Sequence, residues 1–253
     1  MKDNLKYKWG IAAGVLITIV VNMLAVLLPL NGKSTASISD QFQVYFVPAN
    51  YVFSIWSLIY LGLIGFTIYQ FVLKPAQYKI VKEIAPAVIL TGVFNSIWLF
   101  MWHYEYFAWT LPLMIALLVS LIFIVVKLQK VKESDKPRFF DLLIKLPFSI
   151  YIGWITVATV ANATDILYLL QFNGFGMQPQ LWAAIMMLIA GILGLIGIKK
   201  NGDFAYAAVI VWAVTGIGVK FSNEFIITTA AIAVACFLLI GALLKQFYPR
   251  KGE

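Results

Sequence analysis

Hydrophobic residues along this chain gather into long continuous runs, and charged residues fall almost wholly between them. Uncharged stretches cover residues 9–32, 51–73, 84–102, 106–126, 146–164, 204–219 and 225–244. Most reach the roughly 20 residues that a helix needs to cross the hydrocarbon layer. A further uncharged tract, 166–198, is too long for one span and is interrupted by the turn-rich "QFNGFGMQPQ" at 171–180. Gly, Asn and Pro in that segment predict a break with another helix over about 181–199. The pattern therefore predicts an all-α membrane protein with eight transmembrane helices. A transmembrane barrel would need short segments of alternating polarity, whereas these runs are continuous and rich in Leu, Ile and Ala.

Composition agrees with a bilayer environment. Of 253 residues, 62% are hydrophobic and 12% charged, and the mean hydropathy is +0.90, which excludes an ordinary soluble domain with a polar shell. The first run is longer than the 7–15 residues of a secretory signal core and is read as a retained span. The single Cys236 supports neither a disulfide framework nor a thiolate metal site.

The net charge of +8 is explained by topology better than by nucleic acid. With eight spans and a cytoplasmic N-terminus, the inside segments carry Lys2, Lys6 and Lys8; Lys74, Lys79 and Lys82; Lys127, Lys130, Lys132, Lys136, Arg138 and Lys145; Lys199 and Lys200; and Lys245, Arg250 and Lys251. Only Lys33 and Lys220 then face outward, the asymmetry expected for an inner-membrane protein with both termini in the cytoplasm. The richest inside loop, 127–145, is read as a solvated anchor beside anionic lipid. Outside, residues 31–50 form a long polar and aromatic loop able to act as a lid, whereas "HYEY" at 103–106 predicts a tight antiparallel hairpin.

Three segments carry a resemblance. The second span opens with Pro48, then Tyr51, Val52 and Phe53, with Trp56 and Tyr60 four apart; the third contains "FNSIW", with Asn95 and Trp98; the fifth contains "WITVATVAN", with Trp154 and Asn162. In that order the segments resemble the TspO/MBR family, the tryptophan-rich sensory and translocator proteins. The resemblance covers residues 10–170. It implies a five-helix bundle over 1–170; the three additional helices and tail over 171–253 are an addition that the resemblance does not explain. It also implies a pocket for a flat hydrophobic ligand, a porphyrin or other tetrapyrrole, with haem included and no cofactor required. Thr91 stands where the family has a Gln, the segment after Asn162 is reduced to "ATDILY" with Asp165, and the loop before Pro48 lacks a Trp.

Spacing supports a site independently. At 1.5 Å per residue, Trp56 lies about 7–8 Å below Tyr51, Asn95 about 12 Å deep with Trp98 above it and Trp102 near the rim, Asn162 about 13 Å deep and Asp165 about 9 Å. All fall in one outer layer. Amides in hydrocarbon are costly unless paired, so Asn95 and Asn162 should face the bundle interior, as an interhelical clamp or toward ligand. The candidate ligand residues are Pro48, Tyr51, Phe53, Trp56, Tyr60, Asn95, Trp98, Trp102, Trp154, Asn162 and Asp165, since a mostly apolar aromatic cleft with a few polar groups suits a small molecule. Trp9, Trp109, Trp182 and Trp212 read as belt or packing residues. His103 alone makes no metal cage. The glycines of "GIAAG" at 10–14 and Gly191, Gly194 and Gly197 allow close helix approach, either within one bundle or in a homodimer.

No Ser-His-Asp set, carboxylate pair, metal cluster or phosphate loop is present, so conventional enzyme chemistry is disfavoured. The expected function is membrane-embedded binding or sensing. The rival readings are a transporter or permease for the same ligand and light-dependent porphyrin breakdown. The expected partners are the lipid bilayer and a small hydrophobic ligand.

Overall fold

The structure, a computed structural model, describes residues 2–28 and 30–247. Arg250 and Lys251, counted above among the inside basic residues, lie outside the described residues. Helices α1 (Lys2–Leu27), α2 (Thr35–Ser39), α3 (Ile55–Val72), α4 (Tyr78–His103), α5 (Phe107–Gln129), α6 (Leu146–Leu169), α7 (Pro179–Asn201), α8 (Phe204–Lys220) and α9 (Phe225–Phe247) follow one another, with no strand among the described residues. Seven of the helical stretches are long and apolar enough to cross a membrane. The eighth, α8, has 17 residues and rises about 26 Å, a little short of the hydrocarbon thickness. The chain is an all-α membrane protein.

The expected punctuation is present. The hairpin between α4 and α5 is closed by Tyr104–Tyr106, with Glu105 at φ 61° and Tyr106 N donating to Met101 O at 2.8 Å. Between α6 and α7, four residues take positive φ, Gln171, Gly174, Phe175 and Gly176, and the Asn173 side chain accepts from Phe175 N. One boundary moves. Pro48 does not open an α-helix directly: a 3₁₀ turn spans Asn50–Ser54, and regular helix begins at Ile55. Tyr51 and Phe53 therefore do not continue the helical face of Trp56 and Tyr60.

The chain divides into two compact units, Met1–Ile38 with Ile55–Ile152 and Ser39–Ser54 with Gly153–Glu253, so α6 contributes its first residues to one and the rest to the other. In the first unit α4 packs along both α1 and α5, and α1 also touches α3. Gly14 and Gly92 make the α1–α4 seam close. A Cβ on Gly92 would meet Thr18 Oγ1 at 2.6 Å and Gly14 O at 3.0 Å, and one on Gly10 or Gly14 would meet Ile89. Gln70 Nε2 of α3 donates to Lys8 O of α1 at 3.2 Å. Such small-residue seams bring backbones together where lipid offers no hydrophobic drive between helices.

In the second unit α7, α8 and α9 pack on one another. Gly191 and Gly194 of α7 face Val234 and Leu238 of α9, and Gly197 faces Tyr206 of α8. Both glycine series thus serve packing within the chain. Gly202, in the left-handed conformation, ends α7, and Asp203 caps α8 by accepting from Tyr206 N at 3.0 Å. Gly153 of α6 admits Val209 and the Tyr206 carbonyl, while Tyr206 OH donates to Thr156 Oγ1 at 3.3 Å.

Candidate functional site

The eleven candidate residues separate between the two units. In the first, Asn95 is nearly fully buried on α4, and its Oδ1 accepts from Asn22 Nδ2 of α1 at 2.7 Å. The same Asn22 amide donates to Thr18 O at 2.8 Å. The amide clamp therefore joins α1 to α4, with Asn22 as the partner. Sequence reasoning passed Asn22 over, although an amide in the middle of an apolar run already demanded a partner.

Above this pair, Trp98 and Trp102 stack one turn apart on α4, with centroids 5.4 Å apart and planes 17° from parallel. Phe107 meets Trp102 edge-on at 5.4 Å, and Trp102 Nε1 donates to Thr35 O at 3.2 Å. Both indoles are buried. Trp56 and Tyr60 form a second parallel pair one turn apart on α3, at 5.6 Å and 20°. Tyr151, at the start of α6, meets Trp56 edge-on at 5.9 Å. Unlike the α4 pair, Trp56 and Tyr60 are only half-buried. Tyr151 was not among the candidates, because nothing local marks it as Trp56's neighbour.

The second unit holds the remaining candidates. Pro48 is buried, and the residue after it, Ala49, donates its N–H to Gly216 O of α8 at 3.2 Å. Tyr51 is 47% exposed and meets Trp212 of α8 edge-on at 5.4 Å, while Trp212 Nε1 donates to Val52 O at 3.1 Å. Phe53 contacts Trp154 of α6 at 5.6 Å, again edge-on. Trp212 thus fastens the 3₁₀ turn. Asn162 is buried on α6. Asp165, one turn further, is 3% exposed, and its Oδ1 has no hydrogen-bond partner among the described residues. Asp165 is therefore buried rather than open to water.

Ser39–Ser54 is held at further points. Lys220 pairs with Asp40, and Tyr45, Gln180 and Glu224 form a triangle in which Gln180 Nε2 donates to Tyr45 OH at 3.2 Å and to Glu224 Oε2 at 3.3 Å. Tyr45 OH donates to Glu224 Oε1 at 3.4 Å. Burial first, and then the Glu224 carboxylate, push the Tyr45 phenol above its ordinary pKa, which keeps it a neutral donor. Beside the triangle a cavity of about 210 Å³ is lined by Tyr45, Thr164, Tyr168, Phe172, Met177 and Trp182 among others. It is smaller than the ~300–1,000 Å³ usual for small-molecule sites.

His103 is buried at the end of α4, with Nδ1 2.9 Å from Leu99 O; since a carbonyl can only accept, Nδ1 carries the proton. No group of three or more metal-ligating side chains occurs among the described residues.

Fold and site together define a multi-pass integral membrane protein whose aromatic and amide side chains are carried on packed spans. The family of TSPO-like proteins matches residues 8–244, and the chain belongs to it, which places it among membrane-embedded sensory and binding proteins. The match includes α7, α8 and α9, the helices beyond residue 170. No curated protein and no solved structure matches the chain.

Proposed function

We propose that this TSPO-like protein binds a flat, largely apolar small molecule within the membrane, a porphyrin or related tetrapyrrole by the family resemblance, and acts as its receptor or sensor. The observation that supports this best is the half-buried parallel pair Trp56–Tyr60, with Tyr151 at its edge. Stacking of a flat ligand on such a pair contributes on the order of 0.5–1.5 kcal/mol beyond area burial. Protoporphyrin titrated into the purified protein should quench tryptophan emission saturably, and Trp56→Leu should weaken binding about several-fold, at tenfold per 1.4 kcal/mol. Trp109, 65% exposed, serves as the matched control. Equal affinity for Trp56→Leu, Trp109→Leu and the parent overturns the reading.

Asp165 favours transport as the second reading, because an ionisable group inside a span commonly marks a substrate or proton path. Saturable binding without flux in proteoliposomes separates the receptor from the transporter. For the orientation, we propose the cell membrane with both termini cytoplasmic, from the basic asymmetry. Cysteines placed at Ser37 and Gln178 should react with an impermeant thiol reagent from outside intact cells, and one at Ser134 should not.

A further inference from the structure

The first unit contains a depression of its own, with no aromatic side chain in its lining. Where α4 begins and α5 ends, a cleft of about 550 Å³ is lined by Ala76, Gln77, Lys79, Ile80 and Glu83 on one side and by Lys127, Lys130, Val131, Lys132, Ser134, Asp135 and Lys136 on the other. Five ammonium groups face two carboxylates. Two of the five are already engaged: Lys127 lies 3.5 Å from Glu83, and Lys136 pairs with Glu133. Lys79, Lys130 and Lys132 have no ion pair among the described residues.

The α4 N-terminus opens on the same space. It has no side-chain cap and no acidic residue in its first turn, so the positive end of a 26-residue helix is left unneutralised there. Cleft, unpaired lysines and helix terminus therefore all call for one kind of ligand, an anion. Position narrows the choice. Tyr78 and Gln129 are the ends of two candidate spans, so the cleft opens at the boundary between hydrocarbon and water. Ile80 and Val131 supply an apolar wall beside the lysines. Basic pockets in this position suit phosphate headgroups.

We propose that this cleft is a phosphate-binding site, occupied by the phosphate of an anionic phospholipid or by a free phosphate compound, with Lys79, Lys130 and Lys132 as its principal ligands. It is separate from the aromatic faces and does not depend on the porphyrin reading. The site differs from a diffuse basic surface in that three particular lysines, rather than any three, hold the anion.

The test uses the full chain in detergent, with native mass spectrometry counting retained phosphatidylglycerol against phosphatidylcholine, and inorganic phosphate and glycerol 3-phosphate as soluble competitors. The triple variant Lys79→Gln, Lys130→Gln, Lys132→Gln should lose phosphatidylglycerol selectivity by about tenfold or more. A charge-matched control, Lys6→Gln, Lys199→Gln, Lys200→Gln, should keep it. Thermal unfolding in neutral detergent, unchanged in both, shows that folding is not the cause; if the triple variant unfolds, Lys130→Gln with Lys132→Gln is read in its place. Competition by inorganic phosphate or glycerol 3-phosphate at micromolar concentration assigns the site to free phosphate compounds, and resistance to both assigns it to lipid. Equal loss in the triple variant and its control, or selectivity unchanged in both, overturns the proposal.

Discussion

The two compact units use the same residue types for different ends. In the first, Trp56 stacks in parallel with Tyr60 and Trp98 with Trp102, each pair one turn apart on one helix, alongside edge-on contacts between helices such as Trp56 with Tyr151 and Trp9 with Phe71. In the second, rings meet edge-on between segments distant in sequence, Tyr51 with Trp212 and Phe53 with Trp154, and the Trp212 indole also donates to a backbone carbonyl. A parallel pair on one helix builds a flat slab from neighbouring turns. An edge-on contact between segments instead fixes where the segments lie. The comparison teaches that the stretch from Pro48 to Phe53 is a fastened element of the second unit, while the aromatic surface proposed for a ligand begins at Trp56.

Breaking the fastening should have the largest effect. A Cβ on Gly216 would sit 2.2 Å from Val52 Cγ2, and the Gly216 carbonyl accepts from Ala49. Gly216→Leu should therefore destabilise by about 3 kcal/mol, the upper part of the range for overpacking, and make Ser39–Ser54 susceptible to limited proteolysis. A variant as stable and as protease-resistant as the parent would show that α8 does not hold this segment.

An intermediate effect is expected in the first unit. Asn22→Leu removes the donor to Asn95 and should cost about 1–2 kcal/mol, since a buried polar atom then loses its partner. The double variant Asn22→Leu, Asn95→Leu should recover part of the loss, because no orphaned amide remains. Thermal unfolding in detergent reads both, and additive losses would mean that the two amides are not coupled.

Trp212→Phe is the smallest step. It keeps a ring against Tyr51 but deletes the indole N–H, and should cost about 1 kcal/mol or less while leaving porphyrin affinity unchanged. A drop in affinity equal to that of Trp56→Leu would erase the distinction drawn between the units.

Much of this architecture was legible in the order of residues. Charge-free runs mark helices because an unpaired backbone amide is intolerable in hydrocarbon and a helix satisfies its own. The short hairpin at Tyr104–Tyr106 and the break at 171–178 were legible for a similarly local reason, since turn-forming residues act on their own backbone. The 3₁₀ turn at Asn50–Ser54 was not, because a proline sets its own φ but does not choose the hydrogen-bond spacing that follows it. Asn95 announced that it needed a partner, yet Asn22 lies 73 residues away.

By itself, then, the sequence determined the class of fold, the spans and their turns, because each depends on the local balance between apolar runs and backbone hydrogen bonding. Only the tertiary structure decided that Asn22 meets Asn95, that the glycines of α1 and α7 face Ile89, Val234 and Leu238, and that Trp212 secures the turn after Pro48. Those outcomes depend on which helix surfaces come within contact distance. Dispersion and hydrogen bonding act over a few ångströms, so a property of one residue becomes an interaction only when the fold delivers its neighbour.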